Sequence, residues 1–210
     1  MQNGLRTLLA LVMVFVFLSA ASARNYDEGI EYKRLKSPVP TQVESGKVEV
    51  VELFWYGCPH CFRLEPDLHK WLKNKPENVE FIRIPAVFNK TWELHAKAYY
   101  TAAFLGVMDK IHKPLFDAMH LKKQRMGTAA EIREFFIKQG VSAKDFDSVF
   151  KSFGVDAKVR RAKTLSKQYG ISGVPAVIVN GKYLTDGPMA GGRKGMIDVM
   201  NYLIKKESAK

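Results

Sequence analysis

Cysteine is almost missing from this chain: there are two in 210 residues, Cys58 and Cys61. That scarcity excludes a fold stapled by several disulfides. It also leaves a zinc site without half of its usual ligands, and His69, His95, His112 and His120 contain no pair at the spacing that would complete one. Internal repeats and low-complexity tracts are absent, and after residue 23 no apolar run is long enough to span a bilayer. Acidic residues are the minority among the charges, 21 against 33 basic, for a net +12. Such an excess raises the question of nucleic acid or membrane surfaces. The densest basic group, Lys158, Arg160, Arg161, Lys163 and Lys167, lies on a helical stretch without interleaved aromatics. It reads as a solvated helix face, with loose attraction to anionic lipid as the alternative, and it argues against a nucleic-acid partner.

The N-terminus has its own pattern. Arg6 precedes an apolar stretch from Leu8 to Leu18, and Ala21-Ser22-Ala23 forms a small-x-small site. This is the layout of a secretory signal peptide over residues 1–23, cleaved after Ala23. An uncleaved anchor is the alternative, but the stretch is short for a spanning helix. The leader holds no cysteine, which excludes a bacterial lipoprotein anchor. Its removal leaves 187 residues with 32 basic and 21 acidic side chains, a net +11. Export places the chain where disulfides form, and a core of this size needs no covalent help.

What is present is one tetrapeptide, Cys58-Pro59-His60-Cys61, between the apolar run Val48 to Trp55 and a helical segment from Pro59 to about Lys73. A strand that delivers a cysteine to a helix start puts its sulfur among amide hydrogens with no partner inside the helix, at the positive end of the helix dipole. Cys58 takes the N-cap and Pro59 the first helical position, where a missing N–H costs nothing. The amides of His60 and Cys61 then face the Cys58 sulfur. Three-residue spacing lets the two sulfurs bond across one turn, with Cys58 exposed at the tip and Cys61 behind it. A passive disulfide closing so short a loop removes little chain entropy, so the spacing favours redox exchange. The sign of the effect follows: only the reduced state contains a Cys58 thiolate, so a lowered thiol pKa favours that state and makes the pair an oxidant. His60 adds positive charge or a hydrogen bond beside the thiolate; an ordinary exposed histidine is the alternative.

The remaining pattern predicts an α/β chain. Glu31 to Leu35 reads as a short edge strand, Val48 to Trp55 as a central strand buried on both faces, and Val79 to Val87 as the next. Pro66 lies inside the first helix and predicts a kink there. From Thr91 to about Gly170 the periodicity is helical, in about five segments bounded by Gly106, Gly127, Gly140 and Gly154. Thr128 and Glu131 form a capping box ahead of the apolar face Ile132, Phe135 and Phe136. Ala176 to Val179 and Lys182 to Thr185 flank an Asn180-Gly181 type I′ turn. A glycine-rich loop, Gly187 to Gly192, leads to a last helix from Arg193 to about Lys206. Glu52 interrupts the most apolar strand, where an acid is rarely buried unless paired. A strand-end acid reaching solvent is the alternative reading, one that suits Glu49 better.

Four pieces together resemble the DsbA-type thiol:disulfide oxidoreductases. They are Val51-Glu52-Leu53-Phe54 ahead of the cysteines, Cys58-Pro59-His60-Cys61, Gly173-Val174-Pro175-Ala176, and Val179-Asn180-Gly181-Lys182-Tyr183. The resemblance covers nearly all of the chain after the leader. It implies a thioredoxin fold with an inserted all-helical domain: residues 24–87 as its first part with an N-terminal arm, 88–170 as the insertion and 171–210 as the second part. It implies Cys58 as the exchanging sulfur and Glu52 as a buried carboxyl relaying a proton to or from Cys61. Arg83 and Glu65 match positions of a charge network with Glu52; the family commonly carries lysine at the first. Pro175 matches a cis-proline opposite the cysteines, leaving the Val174 backbone to pair with an extended substrate, and Met189 is a candidate for the rim of that groove.

The function this implies is a periplasmic dithiol oxidase that introduces disulfides into reduced exported proteins. It needs no metal and no cofactor of its own, and a DsbB-type inner-membrane quinone reductase would reoxidise it. An isomerase or reductase is the second possibility, although the arm from Arg24 to Lys47 is short for a dimerisation domain. A peptide-binding chaperone with dispensable cysteines is the third.

Overall fold

Seven residues, Val48–Phe54, form the strand on which the molecule is organised, here β2 of a computed structural model that describes residues 25–209. The signal peptide expected over residues 1–23 lies outside the described residues. Strand β1 is Lys33–Arg34 and β3 is Val79–Pro85, with α1, Pro59–Leu72, between β2 and β3. Five helices follow: α2 (Lys90–Phe104), α3 (Met108–His120), α4 (Ala129–Lys138), α5 (Ala143–Phe150) and α6 (Phe153–Gln168). The chain returns to the sheet as β4 (Ala176–Val179) and β5 (Tyr183–Asp186) and ends in α7, Arg193–Ser208.

The sheet order is β1-β5-β4-β2-β3. Strands β2 and β3 are parallel, and the β2–β4, β4–β5 and β1–β5 pairs are antiparallel. Successive side chains of a strand point to opposite faces, and that alternation builds two layers. Val48, Val50, Val177 and Val179 face α1 and α7, packing with Leu64, Leu68, Met200 and Leu203. Val51, Leu53, Ala176 and Ile178 face the other way, onto Val155, Val159, Ala162 and Leu165 of α6. The inserted helices thus supply the second layer of the sheet. A third cluster joins Phe54, Tyr56 and both cysteines to Ile111, Leu115, Phe116, Ile132 and Phe136 of the helical block.

Several boundaries have local causes. Strand β3 ends at Pro85, two residues short of the expected Val87, where its only neighbour β2 also ends at Phe54; the Ala86 amide still donates to the Phe54 carbonyl oxygen at 2.8 Å, and Pro85 sits on an edge strand with no ladder bond to lose. Trp55 leaves β2: its indole donates to His95 Nδ1 at 2.9 Å and stacks on Trp92 at 4.4 Å. Gly57 follows because a Cβ there would lie 2.3 Å from the Trp55 ring. Helix α1 runs through Pro66 without a break. The Thr128–Glu131 capping box forms. Asn180 and Gly181 have φ of 51° and 60°, as a type I′ turn requires.

Three expectations are corrected. Gly154 does not bound a helix; it lies in the first turn of α6, which Ser152 caps, and the Phe104 ring packs within 3.1 Å of where its Cβ would be. Glu49 is not a solvent-reaching acid but fully buried, because the arm after Pro40 folds over it and the Gln42 amide donates to its Oε2 at 2.7 Å. The edge strand expected over Glu31 to Leu35 shrinks to two residues.

Candidate active site at the strand to helix junction

The β2–α1 junction places Cys58 at the N-cap of α1, with Pro59 in the first helical position. Both cysteines are in the dithiol form. Cys61 N–H donates to Cys58 Sγ at 3.5 Å. Cys58 keeps only 7% of its surface and Cys61 none, so the expected exposed tip is instead nearly covered. The cover comes from across the site: Cys58 Sγ donates to the carbonyl oxygen of Val174 at 3.3 Å, and the Val174–Pro175 bond is cis.

The two thiols are driven apart in acidity. The hydrogen bond between the sulfurs, aided by the amides of Cys61 and His60, lowers the Cys58 pKa to about 6 against the opposing effect of burial. The charge of His60 is the smallest of these contributions, and the ring accepts from the Arg63 guanidinium at 3.0 Å. Burial pushes Cys61 far up, and the neighbouring Cys58 adds to it. One sulfur is therefore built to be a thiolate and the other to hold its proton.

A line of charged groups lies within electrostatic reach of Cys61 through Glu52. Glu52, fully buried in β2, accepts from Arg83 Nε at 2.8 Å through Oε2, while its Oε1 has no hydrogen-bond partner. Register places Arg83 directly beside it, since Glu52 faces Arg83 in the parallel β2–β3 pair. The Arg83 guanidinium also holds Glu65 of α1 at 3.1 Å. Burial raises the Glu52 pKa to about 7 despite Arg83. Glu65 is also penalised by burial, but His112 and Arg83 outweigh it and hold the carboxyl below its ordinary value. The structure thus brings Glu52, Arg83 and Glu65 into one cluster. Met189 stands apart from it, half-buried against the sheet-face cluster that Val174 also joins, with its amide bound to Asp186 at 2.9 Å.

Sequence reasoning missed two histidines on α3, treating them only as failed metal ligands. His112 Nδ1 lies 2.9 Å from the Tyr56 hydroxyl, and His120 stacks on Phe62 at 4.8 Å while its Nε2 lies 2.7 Å from the Tyr56 carbonyl oxygen. The signal was their position on the apolar stripe of α3, among Ile111, Leu115 and Phe116, where a polar side chain must find partners. Among the described residues no cluster of three or more His, Cys, Asp or Glu is placed to hold a metal ion.

Comparison with known proteins agrees with this geometry. A family model for the DSBA-like thioredoxin domain matches residues 81–198. The chain is 40% identical over 209 residues to the thiol:disulfide interchange protein DsbA of Pseudomonas aeruginosa, covering 100% of this chain and 98% of that one. It is 36% identical over 206 residues to the protein of the same name from Burkholderia cepacia, covering 98% and 97%. The crystal structure of Pseudomonas aeruginosa DsbA superposes with a TM-score of 0.83 at 40% identity, covering 88% of this chain and 95% of that one. The oxidoreductase DsbA from Xylella fastidiosa gives 0.81 at 30% identity, covering 88% and 99%. With identities of 36–40% over nearly the whole of both chains, this chain belongs to the DsbA family of thiol:disulfide oxidoreductases.

Proposed function

We propose that the chain is an exported dithiol oxidase that passes the Cys58–Cys61 disulfide to reduced proteins in the periplasm. The observation that carries this reading is the dithiol at the β2–α1 junction, with Cys58 at the N-cap of α1 accepting from the Cys61 amide at 3.5 Å and Cys61 fully buried behind it. A substrate thiolate attacks Cys58 Sγ, the S–S bond breaks, and the electron pair leaves on Cys61. A second substrate thiolate then attacks the substrate sulfur of the mixed disulfide, and Cys58 departs as a stabilised thiolate. The substrate leaves with a new disulfide and the enzyme as the dithiol.

Glu52 serves as the proton partner of Cys61: its carboxyl, poised near neutrality, supplies the proton that the buried sulfur needs as it leaves. Arg83 and Glu65 fix the carboxyl in place. The Val174 carbonyl and the Pro175 turn hold an extended substrate segment beside Cys58, with Met189 at the groove rim. Reoxidation falls to a DsbB-type membrane quinone reductase. The test is refolding of a reduced multi-cysteine protein with catalytic amounts of this one across glutathione ratios. Fast oxidation with poor reshuffling of wrong pairs supports the oxidase; fast reshuffling with slow oxidation supports an isomerase instead.

A further inference from the structure

Arg83 steadies the Glu52 carboxylate but supplies no proton, because a guanidinium holds its charge across the working pH range. The group that can change charge lies one contact further along. His112 Nε2 is 3.4 Å from Glu65 Oε2 and makes no hydrogen bond among the described residues, while Nδ1 meets the Tyr56 hydroxyl. The imidazole thus joins the inserted helical block to the charge cluster. A cleft of about 930 Å³ between α1 and α3 is lined by Glu65, Arg83 and His112. At that end the side chains of His112 and Glu65 keep 10% and 17% of their surface, although Nε2 itself is covered, whereas Glu52 is sealed at the other.

Charge balance sets the problem. With Glu52 protonated and His112 neutral, Arg83 and Glu65 cancel. When the Cys58–Cys61 bond breaks and Cys61 takes the Glu52 proton, the cluster is left with one uncompensated negative charge, which a buried site tolerates poorly. We propose that His112 takes up a proton from the α1–α3 cleft as Glu52 gives one to Cys61, so that the buried cluster stays neutral through the redox cycle. On reduction one proton moves from Glu52 to Cys61 and one from solvent to His112. On reoxidation Cys61 returns its proton to Glu52, and His112 releases its own to the cleft. The inference rests on Glu52 acting as the proton partner of Cys61.

The surroundings suit this role. Burial lowers the His112 pKa and the Glu65 carboxylate beside it raises it, so the imidazole is neutral until further negative charge appears. Tyr56 and Tyr99, which also face it, are kept protonated by burial. Arg63 of α1, Arg193 of α7, and Asp109, Lys113 and Asp117 of α3 line the cleft with fixed charges. His69 of α1 lines the same cleft and its charge acts on Glu65.

The test is an NMR titration of the histidine rings, with the Glu52 carboxyl followed in parallel, on the mature protein in its disulfide and dithiol forms. His112 should bind its proton about tenfold more tightly in the dithiol form. In Glu52→Gln the two forms should titrate alike at His112, although the Cys58 thiolate is still present. Equal His112 titration in both wild-type forms overturns the inference, as does a shift that persists in Glu52→Gln. A Glu52 that ionises on reduction beside an unresponsive His112 overturns the histidine's role alone. A Glu52 that stays protonated in both forms overturns both roles together.

Discussion

Cys58 Sγ donates to the Val174 carbonyl oxygen at 3.3 Å, joining residues 116 positions apart. The bond exists only while the thiol keeps its proton. Ionisation of Cys58 therefore does two things at once: it creates the nucleophile and releases a backbone acceptor beside it. The disulfide form has no thiol hydrogen either, so an extended substrate arriving at the oxidised pair finds the Val174 carbonyl open for strand-like pairing.

Alkylation of the reduced protein should report this ionisation. The rate with iodoacetamide should rise with pH and reach half its plateau near pH 6, the value to which Cys58 is lowered. Cys61, whose pKa is raised, should not react over the same range. A midpoint near that of an ordinary cysteine, about 8.5, would show that the helix start does not stabilise the thiolate.

The dithiol form should be more stable than the disulfide form at neutral pH. Cys58 has a folded pKa below its unfolded value, so its contribution is present at higher pH and is lost as pH falls through about 6. The disulfide form has no such thiolate, and its short loop adds little. Urea unfolding of both forms from pH 8 to pH 4 should show the gap narrow and close below about pH 6.

Glu52 works in the opposite direction. Its folded pKa is raised to about 7, so the folded state holds its proton more tightly than the unfolded state, and stability falls as pH rises from about 4.5 through 7. Glu52→Gln should remove that loss and unfold at higher denaturant than wild type at pH 8. Arg83→Met should do the reverse, costing roughly 3 kcal/mol, because it leaves Glu52 and Glu65 buried without their cation. Both are read from denaturant midpoints.

Substitution of His60 separates ring from backbone. The His60 amide contributes more than its charge to lowering Cys58. His60→Ala keeps the amide and should weaken the oxidant by less than about 30 mV, the equivalent of one pKa unit. His60→Pro removes ring charge and amide together and should weaken it further. Equal potentials for the two variants would assign the whole effect to the ring.

Much of the scaffold was legible because its signals are local. The run Val48 to Phe54, the Asn180-Gly181 turn and the Thr128–Glu131 box each carry their geometry in adjacent residues. The placement of the cysteine pair was legible for the same reason, as a strand delivering a thiol to a helix start. What escaped depends on segments distant in sequence. Glu49 is buried by an arm that folds back over it, Cys58 is covered by a loop 116 residues away, and His112 reaches Glu65 only because α3 packs beside α1. An acid in an apolar strand and a histidine on an apolar stripe announce the need for partners without naming them.

The redox potential of the Cys58–Cys61 pair, measured by equilibration with glutathione at pH 7, tests the central claim most directly. A thiolate stabilised in the dithiol state predicts a potential more positive than the roughly −180 mV of disulfide isomerases. A value near the roughly −270 mV of thioredoxin would mean that the disulfide state is the stable one, and that this protein reduces its partners instead of oxidising them.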